Sequence, residues 1–394
     1  MTLEITNARI VGKQGLYWLR VGAGGTIEAM DTMEKAPSDG EPPQLDLAGD
    51  WLSRGGLDLQ INGALGFAFP DMDGQHQHQL SEICQWLWMQ GIDGFLPTIV
   101  TTSVAKIQKA LAAFADFMDQ QQAQIQPTNA AKVLGVHLEG PFLNRQKCGA
   151  HPPQHLQTFD VEHIKRVLGD RAEIVKMMTV APELDPTGEG IAYLSKLGIR
   201  VSLGHSMATY EQANRAFQQG ATLVTHAFNA MPGLHHREPG LLGAAMVHPH
   251  VKCGAIADGV HVCPTMLQIL LRASEYQRGV FLVSDALAPL GCPDGEYPWD
   301  TRAIAVKNGT ARLSDGTLAG TTLPLLAGVK NLVRWHLCDV ETAIALATHT
   351  PREALGEATI APTQPATLLR WHWDATEQQL TSQRLLADRQ KEKC

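Results

Sequence analysis

No stretch of this chain approaches the roughly 20 uninterrupted apolar residues of a membrane span. The N-terminal MTLEITNARIVG has no cationic start before an apolar core. These absences predict a cytoplasmic protein with no membrane partner. Cysteine is sparse: Cys84, Cys148, Cys253, Cys263, Cys292, Cys338 and Cys394 are scattered, odd in number and without a Cys-x-x-Cys pair. That usage fits reduced thiols and speaks against a disulfide framework or a structural zinc knuckle. Positive charge is not in excess either, with 32 Lys and Arg against 40 Asp and Glu, a formal net charge of −8. A nucleic-acid partner is therefore not expected. Neither G-x-G-x-x-G nor G-x-x-x-x-G-K-[ST] follows the first barrel-like strand, which argues against a nucleotide-binding sheet.

What is present is a soluble composition, 44% hydrophobic and 18% charged over 394 residues, enough for one large core and a smaller satellite. Apolar runs recur, each closed by turn residues: GGLDLQING, GIDGFLPTIVTT, VLGVHLEGP, EIVKMMTVAPE, IRVSLGHS, ATLVTHAFNAMP, VKCGAIADGVH and VFLVSDALAP. Between them, stretches such as 76–90, 104–121, 158–168, 187–197, 208–219 and 264–276 repeat apolar residues at helical steps. Eight strand and helix units predict an α/β fold, a (β/α)8 TIM barrel, with a doubly wound open sheet as the competitor. Residues 1–53 and 357–394 read as shorter β pieces that pair into a small β-sandwich domain beside a barrel of residues 54–356. Residues 324–356 read as helices against the barrel exterior.

Polar residues interrupt these runs at one recurring place, the carboxyl end. Glu139 ends the third run, His205 the fifth, His226 the sixth and Asp285 the eighth. In a barrel these ends converge on one mouth. Two imidazoles and a carboxylate suit Zn2+ or a similar divalent ion and leave a position for water, with Asp285 then a candidate general base. The structural alternative remains open at this point, because a strand-end histidine is often a hydrogen-bonded core residue and a buried glutamate can be satisfied by amides or an arginine. His137, two residues before Glu139, is read as support for a ligand or a core neighbour.

Taken in order, GGLDLQING, GVHLEGPFLN, KCGAHPP, SLGHS, THAFNAMPGLHHREPGLLGAA, IADGVHV, SDALAPLG and DGTLAGTTL resemble the N-acetylglucosamine-6-phosphate deacetylases of the amidohydrolase superfamily. The resemblance covers residues 50–356 strongly and the flanks weakly. It implies one divalent metal per subunit (Zn, with Fe, Co or Mn as substitutes), a homodimer, and hydrolysis of the acetamide of N-acetyl-D-glucosamine 6-phosphate in amino-sugar catabolism or cell-wall sugar recycling. It makes Glu139, His205 and His226 the metal ligands and Asp285 the catalytic acid/base. Substrate contacts are implied for Ala150, His151, Asn229, Ala230, Arg237, Asp258, Gly259, Val260 and His261, and for the loop Leu318, Ala319 and Gly320. Arg237 and His261 suit a phosphate dianion and are implied to act across the dimer interface. Competing readings are another amidase of the superfamily and a non-catalytic sugar-phosphate binder.

One departure bears on the metal count. Where many amidohydrolases carry His-x-His on the first strand, this chain has Gln60 and Asn62, neutral amides that ligate transition metals poorly. A single metal is the expectation. The stretch LGEATIAPTQPATLL also departs from the glycine-rich turn and Ala-Asp pair common where such chains re-enter the small domain.

Overall fold

A computed structural model describes residues 2–37, 43–123, 129–357, 360–365 and 367–385. The part of the expected C-terminal β segment beyond residue 385 lies outside the described residues. Eight strands form a parallel sheet: Gly56–Ile61 (β1), Ile92–Val100 (β2), Val136–Glu139 (β3), Val175–Val180 (β4), Arg200–Leu203 (β5), Ala221–Val224 (β6), Lys252–Ala255 (β7) and Val280–Leu282 (β8). Each pairs in parallel with the next. The last returns to the first: Ile61 bridges Ala286, Asp285 N–H donates to the Gln60 carbonyl at 2.9 Å, and Asn62 N–H donates to the Ala286 carbonyl at 2.7 Å. The result is a nearly closed eight-stranded barrel.

These runs are continuously apolar because both faces are covered. Every residue of β1 is buried, and so are the first eight of β2. The covering helices are Gln77–Met89 (α1), Val104–Ala123 (α2), Val161–Leu168 (α3), Glu189–Lys196 (α4), Tyr210–Gln218 (α5), Gly240–Met246 (α6) and Pro264–Ala273 (α7). Local sequence sets several starts. Thr209 and Gln212 form a reciprocal capping box at α5, and Asp160 caps α3. After β8 come Leu325–Arg334 (α8), Val340–Thr348 (α9) and Thr350–Leu355 (α10), with α9 packed over both β8 and β1. Helices in 324–356 on the barrel exterior are thus observed.

An insertion between β8 and α8 departs from the sequence reading. Gly295–Trp299, Arg302–Lys307, Thr310–Leu313 and Leu318–Thr321 form a four-stranded sheet, antiparallel throughout, so Leu318, Ala319 and Gly320 lie on a strand and not in a loop. Arg302–Lys307 and Thr310–Leu313 alternate buried and more exposed residues over a small core of Leu287, Trp299, Ile304, Val306, Ala311 and Leu313. The two chain ends pair directly: Trp51–Arg54 lies antiparallel to Leu368–Asp374, with Leu52 opposite Arg370. Together with Leu3–Ile10, Tyr17–Val21, Ile27–Thr32, Gln44–Asp46 and Gln379–Arg384 they make one seven-stranded sheet.

Candidate active site

The mouth of the barrel opens into a cavity of about 930 Å3 lined by Glu139, His151, His205, His226, Asn229, Ala230, His261 and Asp285. Four of these residues, His205, His226, Ala230 and Asp285, are held in left-handed backbone. His205, His226 and Asp285 follow β5, β6 and β8 with φ of 49°, 26° and 47°. Such left-handed positions are costly for side chains with a Cβ and concentrate at functional sites. Glu139 needs no such strain, because it is the last residue of β3. The turn after it does need glycine. Gly140 has φ of 86°, and a side chain there would run into Thr101 Oγ1, which donates to the Glu139 carbonyl at 3.2 Å.

The donor atoms of Glu139, His205 and His226 form a triangle. Glu139 Oε1 lies 3.1 Å from His205 Nε2 and 3.1 Å from His226 Nε2, and the two Nε2 atoms are 3.0 Å apart. His205 Nδ1 is 2.8 Å from the Lys147 carbonyl, which can only accept, so Nδ1 carries the proton and Nε2 presents a lone pair to the site. Two imidazole nitrogens at 3.0 Å share either a proton or a metal cation between them. The charge balance agrees. Burial opposes the charge on Glu139, yet the imidazoles of His205 and His226 set against it outweigh that cost and hold its carboxyl well below the usual range. Burial opposes charge on His226, yet the Glu139 carboxylate raises its pKa, and a divalent ion at this point would displace that proton and leave two imidazole lone pairs and one carboxylate as donors. A wider group of Glu139, His151 and His205 also keeps its donor atoms within 4.8 Å, with His151 Nε2 3.9 Å from Glu139 Oε1. The triangle that includes His226 is tighter and is the better fit.

Gln60 and Asn62 are built into this centre. Gln60 Nε2 donates to Glu139 Oε1 at 3.1 Å and to Asp285 Oδ1 at 3.2 Å, and Asn62 Nδ2 donates to the same Asp285 oxygen at 2.8 Å. The amides bind carboxylates as donors, the role an amide fills better than an imidazole. Asp285 Oδ1 is thereby occupied twice, which leaves Oδ2 for chemistry. Burial, then the negative charge of Glu139, push the Asp285 carboxyl up to about 7.

His151 faces the centre from the loop after β3. Thr101 N–H donates to its Nδ1 at 3.2 Å, so the neutral ring carries its proton on Nε2, on the side of Glu139. Burial and the neighbouring His205 hold the ring neutral, with its pKa lowered to about 3. Sequence reasoning missed what steadies this loop: Arg302 of the inserted sheet donates to the Ala150 carbonyl at 2.8 Å, and Ala150 packs on the inserted core. No local sequence pattern signals a contact across 152 positions.

The other residues expected at the site divide. Asn229, Ala230, His261, Leu318 and Ala319 line the cavity. Asp258 does not line it, but its Oδ2 lies 2.6 Å from His261 Nδ1 and its Oδ1 accepts from the Val260 and His261 amides. Gly259, φ 76°, packs on Trp335, and Val260 is exposed. Gly320 sits behind Asp285, where a Cβ would come within 2.7 Å of the Asp285 carbonyl oxygen. Arg237 is exposed beside His236 and does not line the cavity within one subunit.

His137 lies beneath the site. It is fully buried, with Nδ1 3.1 Å from the Leu59 carbonyl and Nε2 2.7 Å from Thr179 Oγ1, and burial lowers its pKa to about 4. Thr179 continues through Thr225 to Ser202 at 2.7 and 2.6 Å. The ring therefore supports core neighbours in the barrel interior and does not touch a proposed ligand.

No family model matches the chain. Individual relatives do. It is 36% identical over 337 residues to the N-acetylglucosamine-6-phosphate deacetylase of Vibrio furnissii, covering 85% of this chain and 81% of that protein. It is 35% identical over 366 residues to the enzyme of the same name from Bos taurus, covering 90% and 87%. Among solved structures, a point mutant of N-acetyl-D-glucosamine-6-phosphate deacetylase from Mycobacterium smegmatis, in complex with N-acetyl-D-glucosamine-6-phosphate, matches with a TM-score of 0.83 at 27% identity over 98% of this chain and 97% of that one. Identity at this level over nearly the full length shows that the chain belongs to the N-acetylglucosamine-6-phosphate deacetylase family of the amidohydrolase superfamily.

Proposed function

We propose that this protein hydrolyses the acetamide of N-acetyl-D-glucosamine 6-phosphate to D-glucosamine 6-phosphate and acetate. The observation that carries the reading is the Glu139, His205 and His226 triangle with the Asp285 carboxyl tied to Glu139 through Gln60. These three residues would hold one divalent ion, zinc being the best match to two imidazoles and a carboxylate. Such an ion, when bound, supplies an acidified water and polarises the acyl oxygen. Asp285 Oδ2 accepts the proton of the attacking water and returns it to the departing amine. His151 Nε2–H donates to the acyl oxygen as it gains charge.

The phosphate falls to His261, backed by Asp258, and to Arg237. Because Arg237 does not line the cavity of its own subunit, a homodimer in which it reaches the neighbouring site completes the pocket. Asn229, Ala230, Ala150, Leu318 and Ala319 are assigned to the sugar, with Gly259, Val260 and Gly320 shaping the walls behind it. We also divide the chain into a barrel of residues 54–356 and a small β-sandwich of residues 1–53 and 357–394. The direct pairing of the ends and their separate apolar cluster of Leu3, Ile5, Leu19, Leu52 and Leu368 support that division. Among the described residues no helix is long and apolar enough to cross a membrane, and cytoplasmic location is part of the proposal.

The test is acetate release from the phosphorylated and the unphosphorylated sugar, with and without a chelator. Release from the phosphorylated sugar alone, abolished by the chelator, is expected. Release from neither sugar overturns the reaction, and equal release from both overturns the phosphate contacts.

A further inference from the structure

A second cavity, of about 80 Å3, lies between the terminal sheet and the barrel and shares no lining residue with the mouth. It is formed by the turn after Leu3–Ile10, the end of Trp51–Arg54 and the junction of α9 and α10. Four basic side chains line it, Lys13, Arg54, His349 and Arg352, and among the described residues no carboxylate does. Of these Arg352 is the buried one and Lys13 is exposed, and burying a charge without full compensation is costly. Asp93 is shared by three guanidiniums: Arg352 Nη2 at 3.1 Å, Arg384 Nη1 at 2.8 Å and Arg54 Nε at 3.8 Å. Glu353 takes His349 at 3.1 Å, Glu341 accepts from the Gly12 amide, and Glu357 is an exposed acid at the rim.

Arg352 is the second observation. It is 1% exposed, its Nη1 donates to the Gly55 carbonyl at 2.7 Å and also to the Thr348 carbonyl, and its Nε–H is buried with no partner among the described residues. A buried donor left unsatisfied costs on the order of 1–3 kcal/mol, more when charged. Burial also lowers the Arg352 pKa to about 10, a sign that its charge is undercompensated.

We propose that this cavity binds one small oxyanion, of the size and charge of inorganic phosphate, between Arg352, Arg54, His349 and Lys13. A volume of about 80 Å3 is enough room for such an ion. The ion would join a turn of the terminal sheet to α9 and α10, and its consequence is tighter docking of that sheet on the barrel. The inference stands apart from the reaction proposed at the mouth.

The experiment is a thermal melt of the full-length protein in rising inorganic phosphate, against sodium chloride at the same ionic strength. A saturable rise in melting temperature above the chloride control is expected. Lys13→Met, which keeps the stem near Tyr17 and drops the charge, is expected to need about tenfold more phosphate for half the rise. Arg352→Lys, read against its own chloride melt so that a loss of fold stability is not mistaken for loss of binding, is expected to weaken the response as well. The double variant Arg237→Ala with His261→Ala is expected to keep it. No saturable rise, a rise unchanged in Lys13→Met, or a rise lost in the double variant would each overturn the proposal, the last by placing the ion at the barrel mouth.

Discussion

The two ends of the barrel both bury charge, and they resolve the cost in opposite ways. At the carboxyl end Glu139 and Asp285 are brought together and held by the side-chain amides of Gln60 and Asn62, while His205, His226 and Asp285 accept left-handed backbone to face them. At the other end Asp93 sits among Arg54, Arg352 and Arg384, ties to the Gly55 amide at 2.9 Å and to Thr367 at 2.9 Å, and joins β2 to both chain ends. Among the described residues the mouth leaves the buried His226 Nδ1 and Asn62 Oδ1 without hydrogen-bond partners, whereas Asp93 has both oxygens occupied. Unfinished pairing marks the end that does chemistry, and finished pairing of the acid marks the end that holds the molecule together.

The largest expected effect breaks the mouth alone. Asp285→Asn is expected to lower turnover by about three to five powers of ten with the metal retained, and Glu139→Gln to lose the metal, read by acetate release and metal content after dialysis. Melting temperature is expected to hold or rise in Asp285→Asn, since a carboxyl crowded by Glu139 is removed. Normal turnover in either variant would contradict the assignment. At the opposite end, Asp93→Asn is expected to destabilise by about 3–5 kcal/mol, because it leaves buried guanidiniums uncompensated, with turnover per folded molecule little changed. Urea unfolding together with kinetics checks both halves.

A third prediction separates the ends by pH. Asp58, on β1, is buried and accepts from the Ser284 amide, and burial raises its carboxyl from 3.8 to about 7. A folded pKa above the unfolded one means the folded state holds the proton longer, so this stability is complete below about 4 and is lost as pH rises toward about 7. Asp58→Asn is expected to lose less stability than the parent protein between those limits, by about 1–3 kcal/mol, measured as the change in urea midpoint. The smallest effect sharpens the mouth. Gln can place its amide near the imidazole Nε2 position and Asn near Nδ1, so His151→Gln is expected to keep about tenfold more turnover than His151→Asn, with similar KM. The reverse order would contradict the tautomer set by the Thr101 amide.

How far the sequence alone reached depends on the range of each interaction. The eight strands were legible because a strand covered on both faces must be apolar at nearly every position, as β1 and β2 are. The helices after them were legible to within a few residues: 104–121 was expected where Val104–Ala123 is observed. The inserted sheet was not. Its strands are four to six residues long and alternate over a core of their own, so GEYPW and RAIAVK look like a polar loop until the turns fold back. For the same reason Arg302 and Thr101, which steady His151, carried no signal. Arg237 was expected among the substrate contacts, and within one subunit it lies outside the cavity.

The chain alone therefore determined the barrel, by a periodicity that burial imposes locally, and the place of Glu139, His205, His226 and Asp285 at the carboxyl ends of their strands. Only the tertiary structure decided which atoms meet: the 3.0–3.1 Å triangle, the proton on His205 Nδ1, the two amides on Asp285 Oδ1, and the crowding of three arginines around Asp93. Strand periodicity is a property of neighbours in the chain. Donor geometry and charge compensation depend on distances between residues tens to hundreds of positions apart, and those exist only once the barrel has closed.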